Sequence, residues 1–257
     1  VDGEVHWESS FGDNRSDYFT SLSGTEDGIF ISGTSSLRGD DMKAWVINTN
    51  LDGQLRWSRF HRYVVFNQTC SEMVPISDNG YVLACNGAGF PPFNISAILT
   101  FIDQTGDTLS NTLHRLNQVG NVCGIVRLDE GELIIAGFED GPLIQAIDRP
   151  FVISFSPDGE ERWRQNLFPT ENGDEYIEGG FYGITRGHNN SIIAVGFAIN
   201  SENEEGDNGL VIKFEPGNGQ SVVGDSELIL PEVPVLFDPA PNPFNSTTHL
   251  SFYLPRE

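Results

Sequence analysis

Four short apolar phrases recur along the chain, each bounded by turn residues. One is a tight turn followed by an apolar run that ends at Gly. It reads DGIFISG (27–33), NGYVLACNG (79–87), EGELIIAG (130–137) and NSIIAVG (190–196). A second runs into an Asp-Gly-type turn: WVINTNLDG (45–53), ILTFIDQTG (98–106), FVISFSPDG (151–159) and LVIKFEPGNG (210–219). A third precedes the first: FTSLSG (19–24), CSEMVPI (70–76), CGIVRL (123–128) and YGITRG (182–187). The fourth follows the Asp-Gly turn and places a Trp four residues after its Gly, at Trp7, Trp57 and Trp163. A degenerate copy at Thr105-Gly106 carries Leu109 and no Trp.

These phrases are rich in β-branched and aromatic residues, and their turns favour hairpins with positive φ. No stretch of 3.6-residue period and helical length competes with them. The turn glycines Gly3, Gly53, Gly106 and Gly159 are 50 to 53 residues apart. Four antiparallel strands in each such interval make the blade of an all-β β-propeller. Runs apolar on both faces fit blades that pack face to face. The pattern predicts propeller repeats over 1–225, with blades starting near 17, 68, 120 and 180. Residues 4–11 read as an orphan outer strand of a preceding blade. Two closures stay open: a larger propeller of which this is an N-terminally truncated fragment, the preferred reading, or a small ring in which 4–11 pairs with the last blade.

Lettering the strands A to D in chain order, the A–B and C–D links are tight. The B–C links (34–43, 88–95, 138–148, 197–208) and D–A links (61–68, 114–121, 168–180) are long. Both long sets emerge on one face, where binding belongs. Trp7, Trp57 and Trp163 are structural repeat positions that should wedge between blades.

The charge narrows the partners. There are 37 Asp and Glu against 14 Lys and Arg in 257 residues, a net charge of −23. Phosphate recognition needs a basic surface, so nucleic acid is excluded. No apolar run reaches the length of a membrane span, so no transmembrane segment is expected. Acidic residues gather on the long links: Asp13 and Asp17, Asp40 and Asp41, Glu139 and Asp140, Glu171 to Glu178, and Glu202 to Asp207. They read as a solvated acidic face. Calcium is the ion they would suit, but no EF-hand-type loop is spelled out, and no cofactor is assigned.

Other candidates reduce to plain roles. His61 and His114 lie at equivalent positions, on outer strand ends that diverge, and are expected in solvent rather than on one metal. Cys70 and Cys123 occupy matching inner-strand positions and read as buried free thiols, with a Cys70–Cys85 bridge left open. Arg38-Gly39-Asp40 is a three-letter match. Phe90, Phe93 and Phe181 are the nearest aromatics to the loop face. No catalytic triad, nucleophile elbow or phosphate loop is present, so no catalytic residue is assigned.

After Gly224 the repeat ends. Pro231, Pro234 and Pro239 mark a linker over 226–240. The segment 241–257 contains Pro241-Asn242-Pro243-Phe244-Asn245, Thr247-Thr248 and a strand at 250–254. It resembles the opening of the C-terminal sorting domain of type IX secretion cargo, and the related immunoglobulin-like domain of flagellar hook-capping proteins. The resemblance covers about the last twenty residues. It implies a bacterial protein exported by the secretion machinery to the cell surface or medium. The repeats also resemble bacterial surface repeats and quinoprotein-type repeats with the Gly-x-x-x-Trp spacing. The expected function is a secreted or surface-attached, non-catalytic scaffold that offers its loop face to a glycan or protein. The alternative is the propeller part of an exported hydrolase or quinoprotein-like dehydrogenase.

Overall fold

A computed structural model describes residues 3–13, 16–36, 42–63, 67–77, 80–88, 95–116, 120–140, 148–167, 177–200 and 208–214, and two short strands at 235–236 and 252–253. The three inner phrases of each repeat, and the outer phrase of blades 1 to 3, lie in antiparallel sheets. Blade 1 is β1 (Asp17–Gly24), β2 (Gly28–Ser36), β3 (Met42–Asn50) and β4 (Leu55–His61). Blade 2 is β5 (Gln68–Ser77), β6 (Gly80–Ala88), β7 (Ile95–Asp103) and β8 (Thr108–Arg115). Blade 3 is β9 (Gly120–Arg127), β10 (Leu133–Asp140), β11 (Asp148–Phe155) and β12 (Glu161–Asn166). Blade 4 has three described strands, β13 (Ile177–Arg186), β14 (Ile192–Asn200) and β15 (Asn208–Phe214). Strand order follows chain order in each sheet, so the chain is an all-β propeller array of up-and-down blades.

The outer hairpins share one turn chemistry. The backbone N–H of Gly53, Gly106 and Gly159 donates to the carbonyl of Asn50, Asp103 and Ser156 at 3.0–3.1 Å. The side chains of those three residues fold back on the same turns. Asn50 Oδ1 accepts from the Gln54 N–H at 2.8 Å, Asp103 Oδ1 from Asp107 at 2.9 Å, and Ser156 Oγ from Glu160 at 2.9 Å. Such side-chain turns suit Asn, Asp and Ser. Each glycine has φ between 74° and 91°, which a residue with a Cβ adopts only under strain. In blade 4 the inner hairpin turns through Asn189 and Asn190, both at positive φ. Asn tolerates that region better than most residues.

Two-sided burial explains the continuous apolar runs. Along β6, Tyr81, Leu83 and Cys85 pack toward blade 1, with Phe30, Val46 and Trp57. Val82 and Ala84 point the other way and pack with Ile125, Ile135 and Phe155 of blade 3. Between blades 3 and 4 lies a third core of Ile134, Val152 and Trp163 against Phe181, Ile192 and Leu210. The cores therefore lie between sheets, one per blade interface.

The turn glycines belong to these interfaces. The Trp57 ring lies over Gly106 of the next blade, and a Cβ there would stand 2.6 Å from the ring. Trp7 lies over Gly53 in the same way, and its Nε1 donates to the Leu51 carbonyl at 2.9 Å. Blade 2 has Ser110 at the Trp register, opposite Phe101, where blades 1 and 3 pair Trp57 with Asn48 and Trp163 with Ser154. The large ring has moved one strand inward: Phe101 and Thr112 close on Gly159. Residues 3–13 form no β-ladder.

Val1–Gly219 forms one compact unit and Gln220–Glu257 a second. In the second, β16 (Val235–Leu236) pairs antiparallel with β17 (Phe252–Tyr253). The sorting-motif residues Pro241, Asn242, Pro243, Phe244, Asn245, Thr247 and Thr248 lie outside the described residues. Among the described residues no helix is long and apolar enough to cross a membrane.

The turn–Trp contact gives a measurable expectation. Gly106→Ala should cost about 1–3 kcal/mol, from positive-φ strain and overpacking against Trp57. Urea unfolding checks it, and an unchanged midpoint would show that the interface yields.

Candidate functional site

The innermost strands β1, β5, β9 and β13 lie side by side in that order. Each carries a β-bulge. The register skips Thr20 between Phe19 and Ser21, Ser71 between Cys70 and Glu72, Cys123 between Val122 and Gly124, and Tyr182 between Phe181 and Gly183. A bulge opposes two residues to one and re-aims a side chain. Here Cys70, Val122 and Phe181 go into the blade cores, while Thr20, Ser71, Cys123 and Tyr182 line a common cavity.

The cavity is a shallow depression, largely open to solvent, of about 310 Å³. Tyr18, Thr69, Asn86 and Asn121 complete its polar wall. It lies at the end of the inner strands that the long D–A links enter, so it opens on the loop face.

Two blade interfaces are cross-linked at this level by equivalent bonds. Thr20 Oγ1 donates to the Cys70 carbonyl at 2.8 Å, and the Cys70 N–H donates to Thr34 Oγ1 at 3.2 Å. One blade on, Ser71 Oγ donates to the Val122 carbonyl, and the Val122 N–H donates to Asn86 Oδ1 at 2.6 Å. Ser21 Oγ accepts from the Met73 N–H at 3.3 Å, and Glu72 Oε2 from the Ile125 N–H at 2.9 Å. Burial pushes the Glu72 carboxyl above its ordinary range, with the Ile125 N–H opposing. At the third interface the matching positions hold Cys123, Phe138 and Gly124, and the contact becomes aromatic. Phe138 meets Tyr182 edge-on at 6.4 Å, and Tyr182 stacks on Phe197 at 5.2 Å. The lining is thus mostly polar, with Tyr182 as its aromatic contribution from blade 4.

Several sequence expectations change here. Cys70 is not a free thiol: it is bonded to Cys85, its direct cross-strand partner. Disulfides of this kind belong to oxidising, extracytoplasmic compartments. Cys70 and Cys123 do not match in register either, because the bulge separates them. Cys123 is free, and burial pushes its thiol up to about 12. Phe181 is fully buried in the core, and its neighbour Tyr182 is the exposed aromatic. Phe90 and Phe93 lie outside the described residues, as do Arg38, Gly39 and Asp40.

The histidines are not in solvent. His61 is buried, with Nδ1 2.9 Å from Thr108 Oγ1 on the next blade. His114 is partly buried; its ring packs 4.4 Å from Phe155, and its Nδ1 lies 3.6 Å from Glu161 Oε2. Register makes Thr108 and Glu161 equivalent, so both histidines fill one interface position. Leu167 is their counterpart in blade 3 and packs into the third core. A position that accepts Leu is a packing position. Desolvation lowers both histidine pKa values, with Arg59 adding to it at His61.

The acidic face is also less uniform than its sequence. Glu139 is buried, accepts from Asn166 Nδ2 at 2.7 Å and lies 3.9 Å from Arg164. Asp17 Oδ2 accepts from the Asp13 N–H at 2.9 Å. Asp40, Asp41, Glu171, Asp174, Glu175, Glu202, Glu204, Glu205 and Asp207 lie outside the described residues. No group of three or more His, Cys, Asp or Glu comes together as a metal site among the described residues. The bulges are the missed signal. A tight-turn and alternation reading counts two residues per step, and one extra residue shifts each later side chain to the other face.

The buried histidines set a pH dependence. Their folded pKa lies below the ordinary 6.5, so the unfolded chain binds protons more readily. Stability should therefore fall as pH drops below about 6.5. Glu72 works in the opposite sense in more acid solution, so the histidine part is isolated by substitution. His61→Leu, copying Leu167, should flatten the loss between pH 7.5 and 5.5 in thermal unfolding. An unchanged slope would mean His61 protonates freely in the fold.

No protein-family model and no curated protein matches the chain. Solved structures that align with it include the following three. A protein of unknown function from Bacteroides caccae is 14% identical over 77% of this chain and 62% of its own, with a TM-score of 0.43. An endo-arabinase from Bacteroides thetaiotaomicron is 10% identical over 77% and 75%, with a TM-score of 0.46. A native arabinanase from Bacillus subtilis is 10% identical over 78% and 96%, with a TM-score of 0.24. The chain spans 62% of the length of the first of these, and at such identities the likeness concerns the fold alone.

Proposed function

We propose that this chain is an exported, non-catalytic propeller module that holds a neutral, polyhydroxylated ligand, a glycan, at the loop-face mouth of its axis. The observation that carries this reading is the cavity itself. Four bulged strands aim one side chain each into it, and its lining joins polar groups to the Tyr182 ring. Tyr182 is 64% exposed and braced by Phe197, a flat apolar surface for the C–H face of a sugar ring. The Tyr18 and Thr69 hydroxyls and the exposed Asn121 amide share the lining. Asn121 Oδ1 already accepts from Asn86 Nδ2 at 2.5 Å, which orients the amide nitrogen for a ligand oxygen. The described lining holds no carboxylate and no cationic group, so hydrogen bonding and stacking are the available chemistry. A volume near 310 Å³ is at the small end of ligand sites.

Export is supported by three features of the chain. They are the Cys70–Cys85 bridge, the acidic composition with only Lys43 and Lys213 as lysines, and the segment from Pro241 to Thr248. In this reading that segment is the address read by the secretion machinery, and the destination is the cell surface or medium.

Binding is tested by titrating neutral oligosaccharides into the protein. Tyr182→Ala should weaken the best ligand at least about tenfold, or about 1.4 kcal/mol, with an unchanged melting temperature because the ring is exposed. Failure of every neutral glycan to bind, or indifference to Tyr182→Ala, would sink the proposal. Export is tested separately, by replacing Pro243, Phe244 and Asn245 with Ala in the native host. The protein should then stay inside the cell, and continued appearance outside it would reject the address.

A further inference from the structure

The repeat allows each exposed residue to be compared with its counterparts at the same rank of the other blades. On the rear face of blades 2, 3 and 4, the core-facing residue before the bulge is Cys70, Val122 and Phe181, none more than 2% exposed. In blade 1 that residue is Phe19, 37% exposed. Three positions further along stand Met73, Ile125 and Ile184, all buried, against Leu22 at 72% exposure. The forward face repeats the contrast at the other end of the array. Val46, Leu99 and Val152 are fully buried, and their counterpart in blade 4, Val211, is 53% exposed. Ala84 and Ala136 are fully buried, and their counterpart Val195 is 45% exposed.

The rear face of blade 1 is nevertheless partly covered. Trp45 and Ile47 are buried there. Phe11 packs on Phe19 at 6.4 Å, and Phe19 stacks on Trp45 at 4.8 Å. Trp7 sits on Gly53, as Trp57 sits on Gly106, and Ser9 Oγ donates to the Gly53 carbonyl at 3.3 Å. Residues 3–13 thus occupy the place that the outermost strand of a preceding blade takes elsewhere, while having no sheet of their own.

We infer that blade 1 and blade 4 present the two unfilled halves of blade interfaces, and that their occupant is a further β-blade of the same polypeptide. Its outermost strand is residues 3–13. In each complete blade the outermost strand is the last in chain order, so the other strands of this blade lie on the N-terminal side of residue 3. Its sheet is apolar on both faces, one toward Val195 and Val211 and the other toward Phe19 and Leu22. Continuity with three existing interfaces of the same construction carries the assignment, which is independent of any ligand in the cavity.

Cysteine accessibility tests it. Val211→Cys is placed in the protein expressed from its own gene in its own host, with Leu51→Cys at an exposed turn as the freely reacting reference. Maleimide should label Cys at 211 about a hundredfold more slowly than at 51, as for a core amide or side chain reached only by opening. The protection should be independent of protein concentration, and absent from a chain starting at Val1. Equal rates at 211 and 51 in the native product would mean a free surface and overturn the inference. Protection that fades on dilution would assign the cover to a second copy, and protection kept in the chain starting at Val1 would assign it to residues 220–257; either overturns it. Val195→Cys gives the same readout if the first variant folds poorly.

Discussion

Burial of both faces of the middle sheets, blades 2 and 3, is the constraint from which the rest follows. A sheet that is apolar on both sides has no solvent face to orient it, so it is stable only between two others. Val82 and Leu83 are neighbours in sequence, yet they belong to different cores. Removing either would open a cavity in a different interface, and large-to-small changes of that kind typically cost about 2–5 kcal/mol. The glycines at the outer turns serve the same packing. They let an indole, or in one blade Phe101, seal the rim where adjacent sheets diverge. The buried histidines and Leu167 sit at that rim as well, which is why their chemistry is that of a core.

Most of this was legible in the sequence. The repeat of turn, apolar run and Asp-Gly fixes strand number and direction, because Asn50, Asp103 and Ser156 each write the same turn with side-chain bonds. The compensation at Phe101 was not legible. A missing Trp looks like a lost contact until the partner strand is known, and only the register shows the ring displaced to the facing residue.

The site was harder to read, for a physical reason. Expectation placed aromatics on the loops and a free thiol at Cys70, left the Cys70–Cys85 bond open, and missed the exposed Tyr182. Each error traces to a bulge. An inserted residue leaves no mark in composition or in hydrophobicity, since Thr20, Ser71, Cys123 and Tyr182 share no property except position. Burial of His61 was hidden for a related reason. Strand ends that diverge from one another still converge on the neighbouring sheet, here at Thr108.

Because the extra residue of each bulge stands outside the ladder, its identity is not set by strand pairing. Thr20 and Ser71 also bond across to the next blade, and the Tyr182 ring stands 64% exposed. The chain already displays a hydroxyl, a second hydroxyl, a thiol and a phenol at these four places on an unaltered framework. A ring of such positions amounts to a variable region on a fixed support. In the proposed binding role, the exposed Tyr182 could be exchanged for a new specificity with little of the destabilisation that ordinarily limits how fast a binding surface can diverge.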